Sequence, residues 1–149
     1  MKKTFMVCAL SLTLLWLAAG SANAQVTCPA TNDTQWVALL NSSPQQATFI
    51  RTTQDLNDYV AGARFVGHPL NGLTAQELSD FLATIWIKDG GVVSMNASIP
   101  QSKLSPASFA TVLAAFGISK DLYEDHEGYK CDSPHNCVVA AAYICMTGC

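Results

Sequence analysis

Cysteine placement constrains the fold of this chain more than any other feature. Six cysteines occur in 149 residues, and four of them fall within the segment 131–149. In an oxidising compartment such a cluster predicts a small domain held together by disulfide bonds. In a reducing compartment the same cluster would point to metal binding or redox chemistry. The interpretation of the cysteines therefore depends on where the protein is located.

The N-terminus has the pattern of a cleavable export signal. A positive start, Met1-Lys2-Lys3, precedes an uncharged apolar stretch over 5–19, and Ala22-Asn23-Ala24 supplies a small-x-small cleavage pattern. The apolar stretch, at roughly 15 residues, is too short to span a ~30 Å hydrocarbon layer comfortably. We therefore predict a signal peptide over 1–24 that is removed after Ala24, and no stable membrane anchor.

The form of this signal favours a bacterial envelope protein. The compact Lys-Lys start and the Ala-Asn-Ala-Gln junction are typical of bacterial signals, so we expect a periplasmic location, with secretion to the exterior as the alternative. Three Asn-x-Ser/Thr sequons, at Asn32, Asn41 and Asn96, leave a eukaryotic secreted origin open.

Five cysteines remain after cleavage, which predicts two disulfide bonds and one spare thiol. We expect Cys28 to tie the N-terminus to Cys137 or Cys145, with Cys131 completing the framework. The alternative is a bond between Cys131 and Cys137 that closes a short loop. Cys149, the final residue, is the best candidate for a free or intermolecular thiol.

A metal site is the competing interpretation of the same segment. Thiolates of Cys131, Cys137 and either Cys145 or Cys149, together with His135, would suit Zn²⁺ or Cu⁺. Their spacing matches no metal signature, and an exported chain tends to oxidise such thiols. We therefore predict no metal ligands and no cofactor. The Cys-x-x-Cys pattern of thiol oxidoreductases is also absent from the sequence.

Apolar spacing and capping residues predict an all-α fold. Thr74 with Glu77 forms a capping box, and Ser105-Pro106 has the form of a helix start. Further helices are predicted over 34–40, with Asp33 as its cap, over 53–66 and from Ser119. The helix after Thr74 is predicted to continue through Trp86 and to end at Asp89-Gly90-Gly91. Trp36 and Trp86 lie within apolar patterns and are predicted core residues. A last helix is predicted over 134–146, while 49–50 and 92–93 are candidates for short strands. We expect a single helical domain over 25–149, a disulfide-stapled orthogonal bundle of five or six short helices with a Cys-rich segment over 128–149.

Charge narrows the possible partners. The formal net charge is −3, and removing the two N-terminal lysines with the signal peptide makes the mature chain more acidic. Because no basic stripe is present, nucleic acids and anionic membrane surfaces are poor partners. A protein partner with a basic surface is compatible with this charge.

No catalytic constellation stands out in the sequence. His68 lies between Gly67 and Pro69, and His126 lies among carboxylates, but neither accompanies a recognisable nucleophile motif. A small hydrolase built on His68 or His126 is therefore the weakest hypothesis, and we predict no catalytic residues and a non-enzymatic protein.

The function predicted from these observations is binding of another protein, as an inhibitor, an immunity-type protector or a secretion accessory does. Homodimerisation is a further possibility, and a Zn- or Cu-handling module is the alternative function. Aromatic, acidic and His side chains concentrate near the C-terminus, where aromatic residues make good interface anchors. The predicted binding surface consists of Tyr123, Asp125, His126, Tyr129, His135 and Tyr143.

Overall fold

A computed structural model describes residues 28–149, and this part of the chain has a mixed α/β fold. The α-helices are α1 (Asp33–Leu40), α2 (Thr53–Ala61), α3 (Ala75–Leu82), α4 (Ser98–Lys103), α5 (Pro106–Ala115) and α6 (Lys120–His126). A short 3₁₀ helix covers Pro69–Gly72. The strands are β1 (Trp86–Lys88), β2 (Gly91–Asn96), β3 (Glu127–Ser133) and β4 (Asn136–Cys145).

Local capping chemistry placed three helix starts correctly. α3 follows Thr74, which accepts a hydrogen bond from the Glu77 backbone N–H while the Glu77 carboxylate accepts one from the Thr74 backbone N–H. α5 follows Ser105 with Pro106 in its first turn, and α6 follows Ser119. Each of these caps satisfies backbone donors that a helix N-terminus leaves unpaired.

Helix ends and one cap differ from the sequence prediction. α1 is capped by Asn32, one residue before the predicted cap at Asp33. α2 ends at Ala61 rather than Val66. α3 ends at Leu82 because the chain enters β1 at Trp86, which shortens the predicted helix.

The predicted all-α fold class, a bundle of five or six short helices, is wrong. Four antiparallel strands form one sheet in the order β1-β2-β4-β3. The helices pack on this sheet and on each other around one hydrophobic cluster. The candidate strand residues 92–93 are confirmed within β2.

The last predicted helix, over 134–146, is replaced by β4. The alanine run 140–142 has high helix propensity, and Ser133-Pro134 resembles a helix start. Pro134 and His135 instead form the turn between β3 and β4, with His135 at a φ of 63°. Pairing with β3 then continues through the β-branched residues 138–139, which favour strands.

β4 bends sharply and pairs with two strands. Val139 lies opposite Tyr129 of β3, whereas Cys145 lies opposite Ser94 of β2. The register shifts between these regions, and Ala142 in the bend has a φ of 61°. A straight strand would hold Cys137 and Cys145 about 26 Å apart. Because of the bend, their Cα atoms lie 6.0 Å apart.

The core lies between the helices and β2. Trp36 is confirmed as a core residue: it is fully buried, and its indole Nε1 donates a hydrogen bond to the Thr147 carbonyl oxygen at 3.2 Å. Trp86, also expected in the core, is instead partly exposed at the start of β1. Residues with very low exposure include Trp36, Tyr123, Phe81, Phe116, Leu70, Met95, Leu113, Ile118, Leu122, Ile144, Met146 and Val92.

The predicted signal peptide, over 1–24, lies outside the described residues. Within 28–149, no helix combines the length and apolar character needed to traverse a lipid bilayer.

Candidate functional site

Two disulfide bonds join the C-terminal cysteines. Cys131 is bonded to Cys149 and Cys137 is bonded to Cys145, with Cα–Cα distances of 5.6 Å and 6.0 Å. Cys149 is therefore not the free or intermolecular thiol that the sequence predicted, because it is bonded to Cys131 in β3. The predicted bond from Cys28 to Cys137 or Cys145 is wrong as well, since those two cysteines are bonded to each other.

The two disulfides are in contact with one another. The Sγ atoms of Cys131, Cys145 and Cys149 all lie within 4.8 Å of each other, and these three residues form a buried cluster of their own. Ser94 holds this cluster in place: its buried hydroxyl donates to the Ile144 carbonyl at 2.9 Å and accepts from the Cys131 backbone N–H at 3.3 Å. The sulphur atoms of both bonds therefore form one compact group.

A tight turn brings Cys149 back onto β4. The backbone N–H of Cys149 donates to the Met146 carbonyl at 3.0 Å, so the chain reverses directly after the strand. In a helix, residues four apart such as Cys145 and Cys149 share one face, where their parallel side chains do not easily bond. The strand and turn remove that restriction on Cys145 and Cys149.

A shallow groove of about 400 Å³ lies against the Cys137–Cys145 bond. Its walls come from the end of α6, from β3 and from the residues after β4. The groove is lined by Asp125, His126, Tyr129, Cys137, Cys145, Met146 and Thr147. Three of the six residues predicted as a binding surface, Asp125, His126 and Tyr129, are thus brought together.

His126 is anchored at both ring nitrogens. Its Nδ1 lies 2.7 Å from the Cys145 carbonyl oxygen, and its Nε2 lies 3.0 Å from Oδ1 of Asp33. The same carboxylate oxygen accepts from the Thr147 hydroxyl at 3.0 Å. Both partners of the imidazole are acceptors, so both contacts are hydrogen bonds at once only when each ring nitrogen carries a hydrogen. His126 therefore fastens β4 to α1, and Asp33 is a member of this network that the sequence prediction missed.

The other predicted surface residues do not line this groove. Tyr123 is fully buried, donates to Oε1 of Glu127 at 2.9 Å and packs edge-on against Phe109, so it cannot serve as a surface anchor. Burial and the bond to Glu127 raise the pKa of the Tyr123 hydroxyl well above its ordinary value. His135 lies in the hairpin turn, and Tyr143 lies in the bend of β4 with the Lys130 Nζ 5.5 Å from its ring centre.

The hairpin of β3 and β4 exposes apolar side chains, of which the sequence prediction included only Tyr129. Tyr129 and Val139 face each other across the two strands and are 49% and 83% exposed. Val138 is also exposed. The available signal was two adjacent β-branched residues, Val138 and Val139, that follow the Pro-His-Asn segment after one cysteine, but the helical interpretation of 134–146 concealed it.

His68 serves the local structure. Its Nδ1 accepts a hydrogen bond from the Leu70 backbone N–H at 3.2 Å, which caps the 3₁₀ helix, and its ring packs against Tyr59 at a centroid distance of 4.7 Å. Burial raises the pKa of Tyr59 to about 12. Neither contact brings a nucleophile to the imidazole.

Comparisons with known proteins leave this site to be interpreted from its own geometry. No family model, no curated protein and no solved structure matches the chain. The geometry offers two candidate functional features: an exposed apolar hairpin face beside a groove, and a pair of disulfides in contact.

Proposed function

We propose that this chain is an exported, non-enzymatic module that binds another protein through the outer face of its β3–β4 hairpin. The observation that carries the proposal is the exposed pair formed by Tyr129 and Val139, which stands beside the groove at Cys137. Exposed aromatic and aliphatic side chains next to a concavity are typical of protein interfaces.

The disulfides support this proposal because they hold the hairpin in one conformation. Cys131 ties β3 to the C-terminus, and the bond between Cys137 and Cys145 fixes the bend of β4. A surface that is rigid before binding loses less conformational entropy when a partner docks. Two disulfides also favour an oxidising compartment, which supports export to the periplasm or, alternatively, to the exterior.

The edge position of β3 and the local charge define the kind of partner. β3 is an outer strand of the sheet, and apart from the Cys131 N–H, which donates to Ser94, its outer edge is where we propose that an extended segment of another protein pairs. Asp125 of α6 lines the groove together with Tyr129 and places negative charge beside the hairpin. We therefore propose a partner that presents an extended segment with both apolar and basic side chains.

The test compares two variants that add the same charge at exposed valines. Val139→Lys alters the hairpin face, whereas Val66→Lys alters a residue that is 98% exposed in the loop after α2. Each tagged variant is expressed in the native host, and proteins cross-linked to it in the envelope are quantified by mass spectrometry. We expect a specific partner to be lost with Val139→Lys and retained with Val66→Lys.

Two results would overturn the proposal: equal recovery of every cross-linked protein from both variants, or recovery of none from the unmodified chain. If the partner lost with Val139→Lys is a second copy of this chain, the hairpin is a homodimer interface. Sedimentation of the purified protein then checks that assignment.

A metal-handling module is the second candidate, and the sulphur cluster is what favours it. The Sγ atoms of Cys131, Cys145 and Cys149 lie within 4.8 Å of one another, so one Zn²⁺ ion could be shared by all three once the bond between Cys131 and Cys149 is reduced and those two sulphurs move apart. All four sulphurs are held in disulfides, so this function requires reduction of both bonds. We expect the anaerobically reduced chain to take up one Zn²⁺ against a competing chelator if this candidate is correct. Failure of the reduced chain to retain Zn²⁺ would eliminate it.

A further inference from the structure

We propose that the four C-terminal cysteines act as one thiol–disulfide exchange unit, in which Cys137 receives an external thiol and Cys145 passes the exchange to the bond between Cys131 and Cys149. This activity does not depend on the protein-binding function. The ligand class is a dithiol, carried by a small molecule or by a protein.

The two disulfides differ in their access to solvent. Cys137 is exposed on the hairpin and lines the groove, whereas Cys131, Cys145 and Cys149 are all buried. An external thiolate therefore reaches Cys137 first. Because exchange requires a thiolate to approach one sulphur of a disulfide, accessibility decides which bond reacts.

The first step is reduction of the outer bond. A thiolate of the dithiol attacks Sγ of Cys137, a new sulphur–sulphur bond forms, and the bond from Cys137 to Cys145 breaks with Cys145 leaving as a thiolate. The second thiol of the reagent then displaces Cys137, which leaves as a thiolate and takes up a proton. Two electrons pass to the protein, and the reagent is oxidised to its disulfide.

The second step is internal and transfers no net electrons. In the disulfide-bonded structure, Sγ of Cys145 already lies within 4.8 Å of both sulphurs of the inner bond. When it attacks Sγ of Cys149, a bond from Cys145 to Cys149 forms, and Cys131 leaves as a thiolate that takes up a proton. The turn that places the Cys149 N–H on the Met146 carbonyl already folds the C-terminus against β4 for this new bond.

The product has a defined structural consequence. Cys131 and Cys137 are direct partners in the β3–β4 register, so the two thiols left after the exchange face each other across the hairpin. The C-terminus is then attached to β4 instead of β3. After reduction of the outer bond, the one remaining disulfide thus has two positions, Cys131–Cys149 before the internal exchange and Cys145–Cys149 after it.

The test uses two variants that lack the same bond and differ in which thiol remains. Cys137→Ser leaves the buried Cys145 thiol beside the inner disulfide, whereas Cys145→Ser leaves the exposed Cys137 thiol. Free thiols are alkylated at equilibrium, and the remaining disulfide is then reduced and alkylated with a heavy-isotope reagent. Trypsin cleaves after Lys130, so the single peptide 131–149 carries every position to be read by fragmentation.

In Cys137→Ser we expect about a tenth or more of the first label on Cys131, the thiol that the exchange releases, since a pairing disfavoured tenfold still holds that share. In Cys145→Ser we expect the first label almost entirely on Cys137. Label confined to Cys145 in the first variant, or equal scrambling in both, would overturn the proposal.

The unmodified chain provides an independent reading if either variant fails to fold. One equivalent of dithiothreitol is added anaerobically, and the thiols of the two-electron-reduced form are alkylated while circular dichroism confirms the folded state. The exchange predicts labelled Cys131 together with labelled Cys137. Label on Cys137 and Cys145 alone would show that the inner bond takes no part.

Discussion

Replacing Gly91 with alanine tests how tightly α1 packs on the sheet. Gly91 opens β2 and is buried, and a Cβ atom there would lie 2.5 Å from Cδ2 of Leu40 and 2.8 Å from Cη2 of Trp36. The Leu40 methyl group can rotate away. The Trp36 ring cannot move easily, because it is fully buried, bonded to the Thr147 carbonyl and packed against Phe49.

The expected cost combines two opposing effects. Overpacking of a well-filled core costs about 1–3 kcal/mol, and the locked indole places this site in the upper half of that range. Alanine also restricts the unfolded chain more than glycine does, and this effect stabilises the folded protein by about 0.4–1 kcal/mol. We therefore expect Gly91→Ala to lower the free energy of unfolding by roughly 1–2 kcal/mol.

Urea unfolding followed by far-ultraviolet circular dichroism measures this change, which corresponds to a midpoint shift of roughly 0.3–2 M. Gly72→Ala is the matched control, because its new Cβ would meet only the flexible Cδ2 of Leu104, at 3.1 Å. We expect the control to unfold close to the unmodified chain. If Gly91→Ala were as stable as the control, the indole would not be locked, and the packing argument would be refuted.

Three further predictions concern the cap of α3, the inner disulfide and a buried tyrosine. The pKa of Glu77 is lowered from 4.5 to about 2, first by its hydrogen bond from the Thr74 backbone, so this carboxylate stabilises the fold above pH 4.5 and the contribution is lost as pH falls toward 2. Glu77→Gln should therefore unfold with a shallower acid dependence in that window; an unchanged pH profile would contradict this. Replacing Cys131 and Cys149 together with alanine opens a loop closed across 18 residues and should cost about 3 kcal/mol in urea unfolding, against about 2.5 kcal/mol for the bond that spans 8; a cost below that of the shorter loop would contradict the chain-entropy argument. Tyr123→Phe removes the hydroxyl that donates to the start of β3 and should cost about 1 kcal/mol by thermal unfolding; a neutral result would show that the hydrogen bond is not formed in solution.

Elements whose cause is local were predictable from the sequence. The capping box at Thr74 and Glu77 needs only residues three positions apart, and Ser105-Pro106 fixes a helix start through its own backbone preferences. Neither depends on the rest of the fold. The same holds for Trp36, whose position in an apolar helical pattern placed it correctly in the core.

The C-terminal hairpin was not predictable by the same means, because its causes are distant along the chain. The hydroxyl of Ser94 in β2 forms hydrogen bonds with the backbone of Cys131 and of Ile144. These partners lie 37 and 50 positions further along the sequence. Local propensity over the alanine run 140–142 favours a helix. Pairing with β2 and β3 overrides that preference. A short window of the sequence contains the residues that favour the helix but not the distant strand residues that favour the sheet.

Part of the candidate site was predictable from the sequence, and the part that was missed depends on residues that are distant along the chain. Composition drew attention to Asp125, His126 and Tyr129, which do line the groove. Asp33, which anchors His126, lies 93 positions away, and nothing near it in the sequence indicates a contact with the C-terminal segment. Val139 was assigned to a helix face, and only the strand register shows that it lies opposite Tyr129.

The two proposed activities meet on one hairpin, and the structure separates them. A partner docked over Tyr129 and Val139 would lie beside the sulphur of Cys137, the entry point for an external thiol. Val139→Lys adds charge to the exposed face but leaves the buried contact of Cys145 with the inner disulfide unchanged. That variant should therefore lose the partner while its cysteines still exchange. Since binding acts through the surface of β4 and exchange acts through its buried sulphurs, the failure of one proposal would leave the other standing.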